Sequence, residues 1–140
     1  MKIFQQQIRL KSQPRGFHLI TREIEHTLED FAPIKMGVCL LFLQHTSASL
    51  TINENADYTV RKDFESHFNK LVPENMSYYL HNDEGSDDMP AHIKAALLGT
   101  SLNIPISNGR LALGIWQGIY LCEHRNYAEG RNIVITVWGE

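Results

Sequence analysis

The chain has 140 residues, 43% of them hydrophobic, which is the size and apolar content of one conventional core and predicts a single domain over residues 1–140. Thirteen Lys and Arg against sixteen Asp and Glu give a net charge of −3 at neutral pH, with no basic stripe interleaved with aromatics, so no nucleic-acid partner is expected. No apolar run approaches the roughly 20 residues of a membrane helix, and the start "MKIFQQQIRLKSQ" has no apolar leader core, so neither a membrane nor export is expected.

Residues 3–10 ("IFQQQIRL") and 16–20 ("GFHLI") alternate loosely around Pro14 and Gly16, which predicts two strands paired as a hairpin. Thr21 is placed to cap a short helix whose Ile24, Leu28 and Phe31 share one face until Pro33 stops it. The run "GVCLLFLQ" (37–44) is too short for a buried helix and predicts a central strand buried on both faces, delivering His45 at its end. Apolar residues Ala56, Val60, Phe64, Phe68 and Leu71 recur at helical spacing, predicting a helix from about Ala56 to Lys70. A third helix follows in "MPAHIKAALLG", with Asp88 as cap, Pro90 in the first turn and Gly99 at the C′ position. From Ser101 onward "SLNIPIS", "LALGIWQGIYLCEH" and "NIVITVWGE", separated by turns, predict an antiparallel meander. The whole reads as an α+β domain with segregated sheet and helices. Cys39 and Cys122 lie inside apolar runs and read as reduced, buried thiols, which suits the cytoplasm.

Three polar clusters are candidates for chemistry. The first is His45, Thr46, Ser47 and Ser49 at a strand exit, with Asn53, Glu54, Asn55 and Asp57 at the next helix start; such junctions hold phosphate or carboxylate groups. The competing reading makes them turn residues and an ordinary helix cap. The second is "HNDEGSDDMPAH" (81–92), where Asp83, Glu84, Asp87 and Asp88 suit Mg²⁺ and the bracketing His81 and His92 suit Zn²⁺. The alternative there is a solvated acidic turn capping the helix. The third is "WQGIYLCEH", in which strand alternation puts Trp116 and His124 on one face and Gln117 and Glu123 on the other, so that His124 offers a third imidazole. Four of the seven histidines thus stand at element boundaries beside acids, amides or hydroxyls.

The stretches "HTSASLTINENAD", "HNDEGSDDMPAHIKAALLGTSLNIPISNGRLALGIWQGIYLCEHR" and the terminal "WGE" resemble the YjbQ family, over about His45 to Glu140. The family's pattern of a serine, alternating aliphatics, a glycine and then Gly-Thr-Trp-Gln falls on Ser101, Ile104, Ile106, Gly109, Gly114, Trp116 and Gln117, with Ile115 in place of the threonine. The resemblance implies an α+β homotrimer with a weak secondary thiamine-phosphate synthase activity, joining a pyrimidine diphosphate to a thiazole phosphate and releasing pyrophosphate. On that reading His45, Asp57 and Glu123 are the catalytic candidates. Thr46, Ser47, Ser49, Asn53, Trp116 and Gln117 bind the phosphorylated ligand, and His81, His92, His124, Asp83 and Asp87 hold a divalent metal, Zn²⁺ or Mg²⁺. Two alternatives stand beside it: a zinc-dependent hydrolase, and a non-catalytic metal- or phosphate-binding trimer.

Overall fold

The computed structural model describes residues 1–140. In chain order its elements are β1 (Lys2–Leu10), β2 (Gly16–Leu19), α1 (Thr21–Leu28), β3 (Gly37–Leu43), β4 (Ala48–Glu54), α2 (Tyr58–Leu71), α3 (Asp88–Leu98), β5 (Ser101–Ser107), β6 (Arg110–Leu111), β7 (Gln117–Glu123) and β8 (Arg131–Gly139). They form two antiparallel sheets, one ordered β1-β8-β3-β5-β6 and the other β2-β7-β4. The architecture is α+β. No helix is long and apolar enough to cross a membrane.

The core follows from strand alternation. In β8, Ile133, Ile135 and Val137 point inward and meet Cys39, Leu41 and Leu43 of β3, and these pack against Leu50, Ile119 and Leu121 of the smaller sheet. The smaller sheet's other face carries Phe17, Tyr120 and Cys122 and is covered by Phe64 and Phe68 of α2, with Phe17 ring centroids 5.2 and 5.9 Å from theirs. Three layers result: the larger sheet, the smaller sheet, then α2 and α3. Both cysteines are free and buried, and burial pushes each thiol up to about 12, so neither is a thiolate near neutral pH.

The structure revises several local expectations. β1 and β2 are not a hairpin: β1 pairs with β8 along its full length, whereas β2 pairs with β7 in the other sheet. The C-terminal strands are not a meander either. β5 and β6 form a hairpin whose turn, Asn108 (φ 53°) and Gly109 (φ 77°), is left-handed at both positions, but β7 then crosses to the second sheet and β8 returns between β1 and β3. Each strand's apolar pattern is right; its partner is set by which sheet buries that face. β4 is a strand where the sequence suggested only a strand exit and a helix start. Helix α2 starts at Tyr58 with Asp57 as its cap, the carboxylate accepting from Thr59 N at 2.9 Å. Asp87 precedes α3 at the cap position, which moves Asp88 into the first turn, and Thr21 Oγ1 accepts from Ile119 N (2.9 Å) instead of capping α1.

β3 is covered on one side only. Val38 and Leu40 are half-buried, Phe42 is 47% exposed, and they line an outer face with Ile3 (68% exposed), Pro105, Val134 and Trp138 on neighbouring strands. No helix of this chain lies over that apolar row.

Candidate metal centre

Asp88 and His92 stand one turn apart on α3, at the i and i+4 positions that bring side chains together. The segment before α3 returns His81 to the same place. His81 Nε2 lies 2.6 Å and His92 Nε2 3.1 Å from the same oxygen, Oδ2 of Asp88, and the two ring centroids are 5.3 Å apart. All three donor atoms fall within 4.8 Å of one another. Asp88 is 2% exposed at its side chain, while His81 and His92 are 45% and 30% exposed, so the cluster has a buried floor and a mouth open to solvent.

The protons around His92 decide what belongs there. Its Nδ1 is 2.9 Å from the carbonyl oxygen of Thr46, an atom that can only accept, so Nδ1 carries the hydrogen. A neutral His92 then turns the Nε2 lone pair toward Asp88 Oδ2, acceptor against acceptor. Either a second proton on the ring or a cation between the two atoms is required. A ring hydrogen donated to a backbone carbonyl, with the other nitrogen facing a carboxylate, is also how a metal-binding imidazole is held.

The donor set fits a small divalent cation. Two ligands each about 2.1 Å from a tetrahedral ion lie roughly 3.4 Å apart, so His92 and Asp88 need to separate by only a few tenths of an ångström, and His81 by under about 1 Å. Burial alone would raise the Asp88 carboxyl, but the His81 hydrogen bond and the charges of His92 and Arg125 outweigh it and hold the group below its ordinary value. Asp88 is therefore a carboxylate, the form a metal needs.

The remaining predicted ligands are elsewhere. Asp87 Oδ2 accepts from Arg125 Nε and from Asn126 N, both at 2.9 Å, and Asp83 is exposed in the turn and stands outside the cluster. His124 does not supply the third imidazole: it lies beyond the end of β7, is 1% exposed, and its Nε2 pairs with Ser49 Oγ at 2.8 Å. Burial, then the positive charges of Lys94, Arg15 and Arg131, lowers His124 to about 3, so it is neutral in the interior.

The other candidates are mostly committed to holding the fold. Glu123 is fully buried and takes two hydrogen bonds from Arg131, the Nε one at 2.7 Å, while Arg131 Nη2 also donates to Ser47 Oγ at 3.1 Å. His45 Nε2 accepts from Asn132 N (2.7 Å), and burial followed by Arg131 lowers its basicity. Asp57 is the α2 cap, and Asn53 Oδ1 accepts from the adjacent Glu54 N. Gln117 Oε1 closes a turn onto Gly114 N (2.8 Å), and Trp116 is 62% exposed in that turn, outside the strand and not sharing a face with His124. Thr46 reaches the cluster through its carbonyl and not its hydroxyl.

Besides Asp88, which the sequence reading makes the helix cap and leaves out of the expected ligand set, two features escaped sequence reasoning: the Thr46 carbonyl, which no side-chain pattern encodes, and Arg125, which binds Asp87, Asp88 and the Glu84 carbonyl. The second was foreshadowed. Adjacent buried aspartates demand a cation, and "CEHR" ends in one. Surface cavities by α1 and β6, lined by Glu25, Leu28 and Arg110, and around Arg15 and Glu74, do not reach His81 or His92.

A family model described as UPF0047 protein YjbQ-like matches residues 6–140. A UPF0047 protein YjbQ from Salmonella typhimurium is 54% identical over 137 residues, covering 98% of this chain and 99% of the relative. A UPF0047 protein from Synechocystis sp. is 46% identical over 131 residues, 94% and 88% of the two chains. Among solved structures, a Sulfolobus solfataricus protein described as YbjQ-like and of unknown function superposes with a TM-score of 0.88 at 26% identity over 99% of both chains. A Clostridium acetobutylicum protein of the yjbq/upf0047 family gives 0.84 at 34% identity over 94% of this chain and 98% of that one.

Proposed function

This chain belongs to the YjbQ-like UPF0047 family, and from that premise we propose that it is a metal-dependent hydrolase of phosphorylated small molecules, with His81, Asp88 and His92 holding a zinc-type divalent cation. The single observation that carries the reading is the convergence of His81 Nε2 and His92 Nε2 on one oxygen of Asp88, with His92 Nδ1 tied to the Thr46 carbonyl so that Nε2 is the ring nitrogen free to face an ion. Two imidazoles and one carboxylate are a catalytic zinc ligand set, and such an ion supplies an activated water and a Lewis acid for a phosphoryl oxygen. The protein's part is to orient the rings through Thr46 and Asp88 and to leave the outer side of the cluster open, as the exposure of both imidazoles allows.

Transfer to form thiamine phosphate is the second reading. A cation at this cluster would neutralise a departing diphosphate equally well. Hydrolysis is favoured because the mouth is open to water, with His81 45% and His92 30% exposed. The homotrimer belongs to the same proposal: further copies of this chain cover the outer apolar face of the larger sheet, around Ile3, Val38, Leu40 and Phe42.

The test is metal analysis of protein purified without chelators, followed by Zn²⁺ titration of the metal-free form and assay of the loaded protein. A phosphomonoester panel and the pyrimidine diphosphate and thiazole phosphate pair are the substrates. One tightly bound ion per chain, lost in His92→Ala and Asp88→Asn, with phosphate released from monoesters, is the expected result. Thiamine phosphate from the paired precursors, without monoester hydrolysis, selects the second reading. No binding at high micromolar Zn²⁺ refutes both.

A further inference from the structure

A carboxylate offers a cation one oxygen or two, and that choice sets how many ligands the ion collects. At Asp88 it has already been made. Oδ1 is occupied by Arg125 Nη1 at 2.6 Å, which leaves only Oδ2 facing the two imidazoles. The guanidinium is itself clamped from two more directions: Nε donates to Asp87 Oδ2 at 2.9 Å and Nη2 to the Glu84 carbonyl at 2.8 Å. Asp87 is held in turn by Asn126 N. Glu84 can present its carbonyl because Gly85 turns the chain with φ +108°, a left-handed backbone that L side chains rarely adopt. Asp87 and Asp88 are nearly sealed from solvent, at 10% and 2% exposure, and Arg125 at 21% is their shared counter-charge.

Building further on the metal reading above, we infer that Arg125 is a positioning residue that restricts Asp88 to one-oxygen ligation and so tunes the centre toward zinc-type ions of low coordination number. The physical ground is the planarity of the fork. Three of its N–H groups are fixed at once, so the guanidinium cannot swing aside to release Oδ1, and a two-oxygen grip on the ion is blocked. Zn²⁺ is satisfied by four ligands, whereas Mn²⁺ and Mg²⁺ favour six, largely oxygen. Asp87, chemically identical and adjacent, has the opposite job: it holds the arginine and stays out of the cluster.

The experiment compares wild type, Arg125→Lys and Asp87→Asn as full-length, metal-free proteins, each shown to be folded by far-ultraviolet circular dichroism. Zn²⁺ and Mn²⁺ affinities are measured by competition with a chromophoric chelator, and Co²⁺ is added as a spectroscopic probe. In Arg125→Lys, Zn²⁺ is expected to bind about 10- to 100-fold more weakly, Mn²⁺ is weakened less, and the strong visible bands of low-coordinate Co²⁺ fade as a further oxygen joins. Asp87→Asn, which keeps an oxygen for Arg125 Nε, shifts all three readings the same way by a smaller factor, and it carries the test if the arginine variant does not fold. Unchanged Zn²⁺ to Mn²⁺ preference and an unchanged Co²⁺ spectrum in a folded variant overturn the inference while the metal centre stands. Wild type that binds none of the three ions overturns the metal centre itself.

Discussion

Acid should undo this fold earlier than its carboxylates alone would require, and His124 is the reason. The side chain is sealed under Phe17, bonded to Ser49, and lowered to about 3 by burial and three nearby cations, whereas in the unfolded chain it titrates near 6.5. The folded value lies below the unfolded one, so between these limits the unfolded state binds more protons and stability falls as pH is lowered. The slope is roughly 1 kcal/mol per pH unit, or a few kcal/mol across the whole window, against a typical total of about 5–15 kcal/mol. The lowered aspartates Asp87 and Asp88 act in a separate window, below about pH 4, where their unfolded counterparts begin to protonate. Urea unfolding is followed from pH 7.5 to 4 in the presence of a chelator, for wild type and for His124→Gln, whose amide reaches Ser49 but does not titrate. Wild type should lose stability from pH 6.5 downward, and the variant's profile should be flatter by about 1 kcal/mol per unit. His45, lowered in the same direction, contributes equally to both proteins and cancels. Parallel profiles would refute the reasoning.

Glu123→Gln removes the partner's whole negative charge and one of its two acceptor oxygens, leaves Arg131 buried and uncompensated, and should cost about 3–5 kcal/mol in denaturant melts without altering Zn²⁺ affinity, because the pair holds β7 to β8 and does not touch the cluster. Zn²⁺ at 100 times its dissociation constant should stabilise the protein by about 2.7 kcal/mol. Calorimetry should read this as a rise of roughly 5–10 °C in melting temperature, absent in His92→Ala. Phe42→Glu places a charge in the middle of the uncovered sheet face; sedimentation should find a trimer for wild type and a folded monomer for the variant, and a variant that assembles like wild type would refute this face as the interface.

Residue patterning by itself determined the local elements and the chemistry on offer. A short continuous apolar run marks β3, alternating aliphatics mark β5, the 3.6-residue spacing of Val60, Phe64, Phe68 and Leu71 marks α2, and the i, i+4 placing of Asp88 and His92 on one helix face follows from the helix alone. Two histidines around an acidic turn offered the residue types of a metal site, alongside the plainer reading of a solvated turn capping the helix. Which groups meet was decided by tertiary structure. The alternation of β1 and β2 is compatible with a hairpin, yet each strand buries its apolar face better in a different sheet, and pairing across more than a hundred residues leaves no local trace. For the same reason His124, similar to His81 and His92 in its sequence surroundings, was sent into the core by the register of β7 against β4, while a backbone carbonyl at Thr46 and a guanidinium 37 residues along the chain from Asp88 were brought to the cluster. Sequence spacing limits only neighbours along an element; burial of the two sheets chooses among everything farther apart.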